Sequence, residues 1–130
     1  MNIMHKIFKN KLSSLAVEVT QNSGTEIAFT GKYNNFYEVG IYKCICCDTS
    51  LFLSSEKYNS GSGWPSFKES ITGSIKYVED YSSNMKRVEV RCKSCEAHLG
   101  HVFDDGPLPT RKRYCINSVS LNFKSDQDEL

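Results

Sequence analysis

Apolar positions along this chain change their spacing once. Between residues 8 and 19 they fall at Phe8, Leu12, Leu15, Ala16 and Val19, the three- and four-residue steps of one helical face, which predicts a short amphipathic helix. Beyond it the chain reads as strand. Residues 75–81 and 87–91 are short alternating or β-branched runs separated by Ser82-Ser83-Asn84, which predicts a hairpin. Residues 40–43 and 50–53 predict a second hairpin around the turn that holds Cys44 and Cys47, and residues 98–103 add a further apolar run. Residues 104–109 carry one glycine and two prolines and must be a loop, because proline cannot continue a ladder.

The most informative run covers residues 113–123, Arg113 to Phe123, where polar and apolar residues alternate for the whole length. Strand side chains point to opposite faces with period two. Counting by two puts Arg113, Cys115 and Asn117 on the face that also carries Val119, Leu121 and Phe123. A polar trio with a thiol on the core face suits a site at the mouth of a sheet or barrel. An isolated cysteine is usually a small buried hydrophobe. Arg113, two residues away, points instead to a stabilised thiolate, the nucleophilic form of the residue.

Composition narrows the class. The 130 residues, 39% hydrophobic and 24% charged, describe one soluble globular domain with enough chain to bury a core. Sixteen Lys and Arg against fifteen Asp and Glu leave a net charge of +1, which gives no global field for nucleic acid or anionic lipid. No apolar run is long enough to span a bilayer. Residues 12–17 are too short, before Glu18, to serve as the apolar part of an export signal. The expected organisation is an N-terminal extension over residues 1–10, one domain over 11–123 and a frayed acidic tail over 124–130.

Six cysteines without an export signal read as metal ligands or catalytic thiols before disulfides. Cys44 and Cys47 form one C-x-x-C pair, Cys92 and Cys95 another, and two such turns complete the tetrahedral shell of a structural zinc. The competing readings are a redox-active pair, which lacks the β-α-β setting it would need, and a compact Cys92, Cys95, His98, His101 site, whose Cys-to-His gap is very short. Cys46 and Cys115 remain over. Cys46, inside the first turn, is most simply a passenger. The only tryptophan, Trp64, lies in the loop Ser60-Gly61-Ser62-Gly63-Trp64-Pro65-Ser66-Phe67, placed either to line a ligand pocket or to pack under a loop. His98 and His101 flank Gly100 and are the natural proton donors near neutral pH.

Five motifs in this order carry a resemblance: Gly24-Thr25-Glu26; Gly40-Ile41-Tyr42-Lys43-Cys44-x-x-Cys47; Ser60-Gly61-x-Gly63-Trp64-Pro65-Ser66-Phe67; Arg91-Cys92-x-x-Cys95-x-x-His98-Leu99-Gly100-His101-Val102-Phe103-x-Asp105-Gly106-Pro107; and Arg113-Tyr114-Cys115-Ile116-Asn117-Ser118. Together they resemble the type B methionine sulfoxide reductases over residues 11–123. The resemblance implies a mainly β fold of two small antiparallel sheets, barrel-like, with a short N-terminal helix and a structural zinc on Cys44, Cys47, Cys92 and Cys95. It implies thiol-dependent reduction of methionine R-sulfoxide, protein-bound or free, one enzyme type serving each sulfoxide epimer. Cys115 is then the nucleophile, passing through a sulfenic acid. Arg113 and Asn117 hold its site, His98 and His101 bind the sulfoxide oxygen and supply protons, and Trp64 and Phe103 wall the substrate methyl.

The chain departs from the commonest family pattern at two positions. Ser62 stands where many members carry a resolving cysteine, so a one-cysteine mechanism is expected, with thioredoxin or a small thiol as reductant. Arg111 replaces a glycine often found after Pro-Thr. A monomer in the cytoplasm is expected, acting on oxidised proteins or peptides. The rival class is a non-catalytic, zinc-stabilised β binding module, which needs neither Cys115 nor Arg113.

Overall fold

The computed structural model describes residues 12–126. Among the described residues there is one α-helix, α1, over Ser14–Asn22, starting later than the apolar spacing predicts. Ser13 sets the start: its hydroxyl accepts a hydrogen bond from the Ala16 N–H at 3.1 Å, satisfying one of the donors that a first helical turn leaves open. Phe8 and the residues 1–10 extension lie outside the described residues. Ala16 and Val19 are buried on the inner face, whereas Leu15 is exposed. A left-handed Ser23 ends the helix by donating its N–H to the Glu18 carbonyl.

The strands are β1 (Gly40–Cys44), β2 (Ser50–Leu53), β3 (Lys57–Tyr58), β4 (Ser66–Phe67), β5 (Ile75–Asp80), β6 (Arg87–Cys92), β7 (His98–Phe103), β8 (Arg113–Ile116) and β9 (Leu121–Ser125). They form two antiparallel sheets, one ordered β2-β1-β9 and the other β3-β4-β8-β7-β6-β5. Both expected hairpins are present. Ile41 of β1 faces Leu53 of β2, and β5 pairs with β6 from Ile75–Cys92 to Asp80–Arg87.

The run from Arg113 to Phe123 is not one strand. It breaks at a 3-10 turn, Ser118–Ser120, which hands the chain from β8 in the large sheet to β9 in the small one. Arg113 and Cys115 therefore do not share a core face with Val119, Leu121 and Phe123. The turn is pinned by polar contacts that alternation cannot reveal: Tyr33 donates its N–H to Ser118 Oγ at 2.8 Å, and the Val119 N–H meets Glu26 Oε1 at 3.0 Å. Within β8 the period of two holds, with Tyr114 and Ile116 buried and Arg113 and Cys115 on the other face. β9 pairs with β1 as far as Ser125 opposite Gly40, so Lys124 and Ser125 belong to the sheet and not to a frayed tail. The last four residues lie outside the described residues.

Aromatic rings fill the space between the sheets. Phe52 of the small sheet stacks on Phe67 of the large one at 4.3 Å, and Tyr114 meets Phe52 edge-on at 5.6 Å. Tyr33, Phe36 and Phe123 continue the cluster around Tyr42. Removing one such ring costs about 3–5 kcal/mol, so this contact fixes the mutual position of the sheets. Among the described residues no helix is long and apolar enough to cross a membrane.

Candidate active site

Register places the candidate residues in one row across the large sheet. Tyr58 faces Ser66, Ser66 faces Cys115, Cys115 faces His101 and His101 faces Glu89. Residues opposed in antiparallel strands project to the same side. Cys115 thus sits between a histidine on one flank and a serine and tyrosine on the other. The next pair along is Arg113 and Phe103, whose side chains stack at 4.4 Å.

His98 and His101, three apart on one strand, should point to opposite faces. A bulge corrects this: Val90 faces Gly100 but Arg91 already faces His98, so Leu99 is the extra residue. The slip rotates His98 onto the face of His101, and the rings lie 5.6 Å apart. Gly100 is required here, because a Cβ on it would collide with the Cys115 carbonyl.

Each histidine is held by a carboxylate that the sequence reading passed over. Glu89 Oε2 lies 2.7 Å from His98 Nδ1, and Asp80 Oδ2 lies 2.7 Å from His101 Nε2. Each carboxylate is braced by an arginine, Arg91 Nε on Glu89 at 2.9 Å and Arg87 Nη2 on Asp80 at 3.2 Å. Burial raises the Glu89 carboxyl, but the hydrogen bonds and charges of His98 and Arg91 outweigh it and bring it down to about 2. The Ser82 backbone N–H and the His101 bond hold Asp80 far below the usual carboxylate range. His101 is lowered, chiefly by burial, against the raising effect of Asp80. A signal for these partners was present: Arg87, Glu89 and Arg91 alternate along β6 and so share a face.

Cys115, His101, Arg113, Asn117, Trp64 and Phe103 line one cavity of about 340 Å³ with Thr25, Ser62 and Arg87. Of the residues expected at the site, only His98 lies outside its lining; it is buried behind His101. The Trp64 loop is thus a pocket wall. Its indole N–H donates to the Glu26 carbonyl at 3.1 Å, and Gly63, at φ +94°, brings the backbone against Ala28 and Phe29 where a Cβ would clash. Asn117 is held at both ends of its amide: its Oδ1 accepts the Glu26 N–H at 2.9 Å and its Nδ2 donates to the Leu99 carbonyl at 3.0 Å. It ties the Trp64-bearing side of the cavity to β7.

Burial pushes the Cys115 thiol up. The Arg113 charge and hydrogen bonds from Ser62 and Arg113 pull it back without cancelling that effect. Arg113 is itself fixed by Asp105, Nε to Oδ1 at 2.8 Å and Nη2 to Oδ2 at 3.1 Å. The expected thiolate stabilisation by Arg113 is therefore present but smaller than the cost of burial. Arg111 lies in the loop before β8 in the left-handed region, at φ +62°.

The remaining thiols sit apart from this cavity. Cys44, Cys47, Cys92 and Cys95 bring their sulfurs within 4.8 Å of one another. Cys44 and Cys95 approach to 3.6 Å, and Cys47 and Cys92 to 3.7 Å. Four thiolates around one zinc at its usual bond length stand about 3.8 Å apart, so the donor set fits that ion. Among the described residues Cys92 and Cys95 group with Cys44 and Cys47 and not with His98 and His101, so the compact Cys2His2 site is not formed. Cys46 is buried and takes a contact from Gln21 Nε2 of α1 at 3.6 Å.

Residues 12–125 match the model of the SelR domain. The chain is 52% identical over 124 residues to the peptide methionine sulfoxide reductase MsrB of Thioalkalivibrio sulfidiphilus, covering 95% of this chain and 90% of that protein. Matched by that domain and by that relative over nearly its whole length, the chain belongs to the type B methionine sulfoxide reductases.

Proposed function

We propose that this chain reduces methionine R-sulfoxide to methionine, with Cys115 as nucleophile; the observation that carries the reading is Cys115 set between His101 and Ser62 inside the cavity walled by Trp64 and Phe103. The epimer is that of the family. The sulfoxide methyl rests on the indole face, an apolar surface that rewards it. The oxygen is left to the polar flank formed by His101.

Attack by the Cys115 thiolate on the sulfoxide sulfur needs the oxygen to take up a proton as electrons move onto it. His101 supplies that proton through Nδ1, because Nε2 is held by Asp80. Glu89 fixes the tautomer of His98, which supports the His101 ring from behind. Asp80 and Glu89 act through the histidines and are positioning residues. The products are methionine and a sulfenic acid on Cys115. Cys44, Cys47, Cys92 and Cys95 would hold zinc, which would supply structure and not chemistry, by joining the β1–β2 turn to the β6–β7 turn.

The test is reduction of separate R and S epimers of a peptide methionine sulfoxide with dithiothreitol. R-only activity in the wild type, lost in Cys115→Ser with zinc and fold retained, is expected. Zinc-loaded wild type inactive on both epimers would leave a binding module as the better account.

A further inference from the structure

On the side of Cys115 away from His101, a second hollow adjoins the cavity. It has a volume of about 600 Å³, lies between residues 58–62 and 105–107, and shares Ser62 and Arg113 with the cavity. Tyr58 stands in its wall and in the row already described, with Ser66 between it and Cys115. Two strand spacings, about 10 Å, separate the Tyr58 and Cys115 backbones. Ser66 between them is a small side chain, and the Tyr58 phenol is near enough to Cys115 and Arg113 to feel the charge of both.

The hydroxyls near this junction divide into two kinds. Ser60, Ser62 and Ser66 bond to one another, Ser60 to Ser62 at 2.9 Å and to Ser66 at 2.6 Å. The Tyr58 hydroxyl oxygen is buried without a hydrogen-bond partner among the described residues. A buried donor left unsatisfied is costly to the fold. Burial raises its pKa, the Arg113 charge lowers it, and Asp105 and Cys115 raise it, so the phenol keeps its proton at neutral pH. The other five cysteines line neither the cavity nor the hollow.

We propose that this hollow is where an external thiol reaches the oxidised Cys115, and that the Tyr58 hydroxyl is the proton donor for that step. The proposal rests on the reductase reading above. The thiolate of the incoming molecule attacks the Cys115 sulfur, an S–S bond forms, and the S–O bond breaks. The departing hydroxide takes the Tyr58 proton and leaves as water; the phenolate recovers the proton that the thiol released. A second thiol then displaces Cys115 from the mixed disulfide. In sum two thiols are oxidised to a disulfide and the sulfenic sulfur is reduced to a thiol. His101 and Tyr58 thus serve the two halves of the cycle from opposite flanks of one sulfur.

The test separates those halves. Full-length zinc-loaded enzyme is first turned over on methionine R-sulfoxide without reductant, and methionine formed per chain is counted. The sulfenic acid is then mixed with 2-mercaptoethanol, or with reduced thioredoxin, and its decay is timed. In Tyr58→Phe, which removes only the hydroxyl, the second-order rate constant for both thiols is expected to fall roughly tenfold or more. Asn59→Trp, which fills the exposed end of the hollow, is expected to slow thioredoxin more than 2-mercaptoethanol. Unchanged rate constants in Tyr58→Phe would overturn the proton-donor role, and unchanged rates in Asn59→Trp would overturn the route. Absence of methionine in the first stage would instead refute the reductase reading itself.

Discussion

The molecule uses the same side chain in two opposite ways. Four thiols in the paired turns approach one another to 3.6 and 3.7 Å, a spacing that fits a shared zinc ion. Cys115 has no thiol near it; its neighbours are a guanidinium, a serine hydroxyl and, across the strand, a histidine. The first environment suits cysteine to a structural ligand, and the second, on the proposed reading, to a reagent. The surroundings, and not the residue type, assign the role.

Exchanging one thiol in each region breaks this comparison most sharply. Cys92→Ser removes a metal ligand, and structural zinc in small sites is worth on the order of 10 kcal/mol of apparent folding free energy. Loss of bound zinc and of the cooperative thermal transition is expected, measured by metal content and calorimetry. Cys115→Ser is expected to keep both and lose all activity. If Cys92→Ser held its zinc, or Cys115→Ser lost it, the two regions would not be separate.

The strands and the metal turns were legible in the sequence because each is a local pattern: period two along a strand, and paired C-x-x-C spacing. The resemblance carried the roles of Cys115, His101 and Trp64. What stayed hidden depends on contacts across the sheets. The break at Ser118 rests on bonds from Tyr33 and Glu26, distant in sequence. The shared face of His98 and His101 needs a bulge whose partner strand a single strand cannot show. Asp80 was hidden for the same reason, whereas Glu89 left a signal in its alternation with Arg87 and Arg91 along β6.

Those two carboxylates sharpen the comparison at the reactive end. Asp80→Asn removes the charge and weakens the bond that raise His101, so its pKa falls further and less of it is protonated at neutral pH. Each unit of fall costs about tenfold in the protonated fraction above the pKa. A loss of roughly tenfold in kcat/KM, with the alkaline limb of the profile moved to lower pH, is expected. Glu89→Gln acts on stability as well. A carboxyl at about 2 in the fold against an ordinary 4.5 gives stability that is present above 4.5 and lost as pH falls toward 2. Acid unfolding of Glu89→Gln should therefore depend less on pH across that window.

Arg113→Met tests how far the guanidinium offsets burial of the thiol. Without it the Cys115 pKa rises further, so the acid limb of the kcat/KM profile should move to higher pH. At neutral pH activity should fall by several-fold and recover in part under alkaline conditions. An unshifted limb would mean that Arg113 acts on the substrate and not on the sulfur.

The smallest effect is expected at Arg111, which touches neither region. Its φ of +62° lies in the left-handed region, where a side chain costs roughly 1–2 kcal/mol that glycine avoids. The conformation is imposed by two backbone bonds, Arg111 N–H to the Pro107 carbonyl at 2.8 Å and Gly106 N–H to the Arg111 carbonyl at 2.9 Å. Both survive in Arg111→Gly. Glycine gives back part of the gain through its freer unfolded chain, so stability should rise by about 0.5–1 kcal/mol, read as a higher midpoint in urea with an unchanged slope. Activity should stay level, since the loop between Asp105 and Arg113 keeps its shape; a lower midpoint would show that the Arg111 side chain makes a contact worth more than the strain it carries.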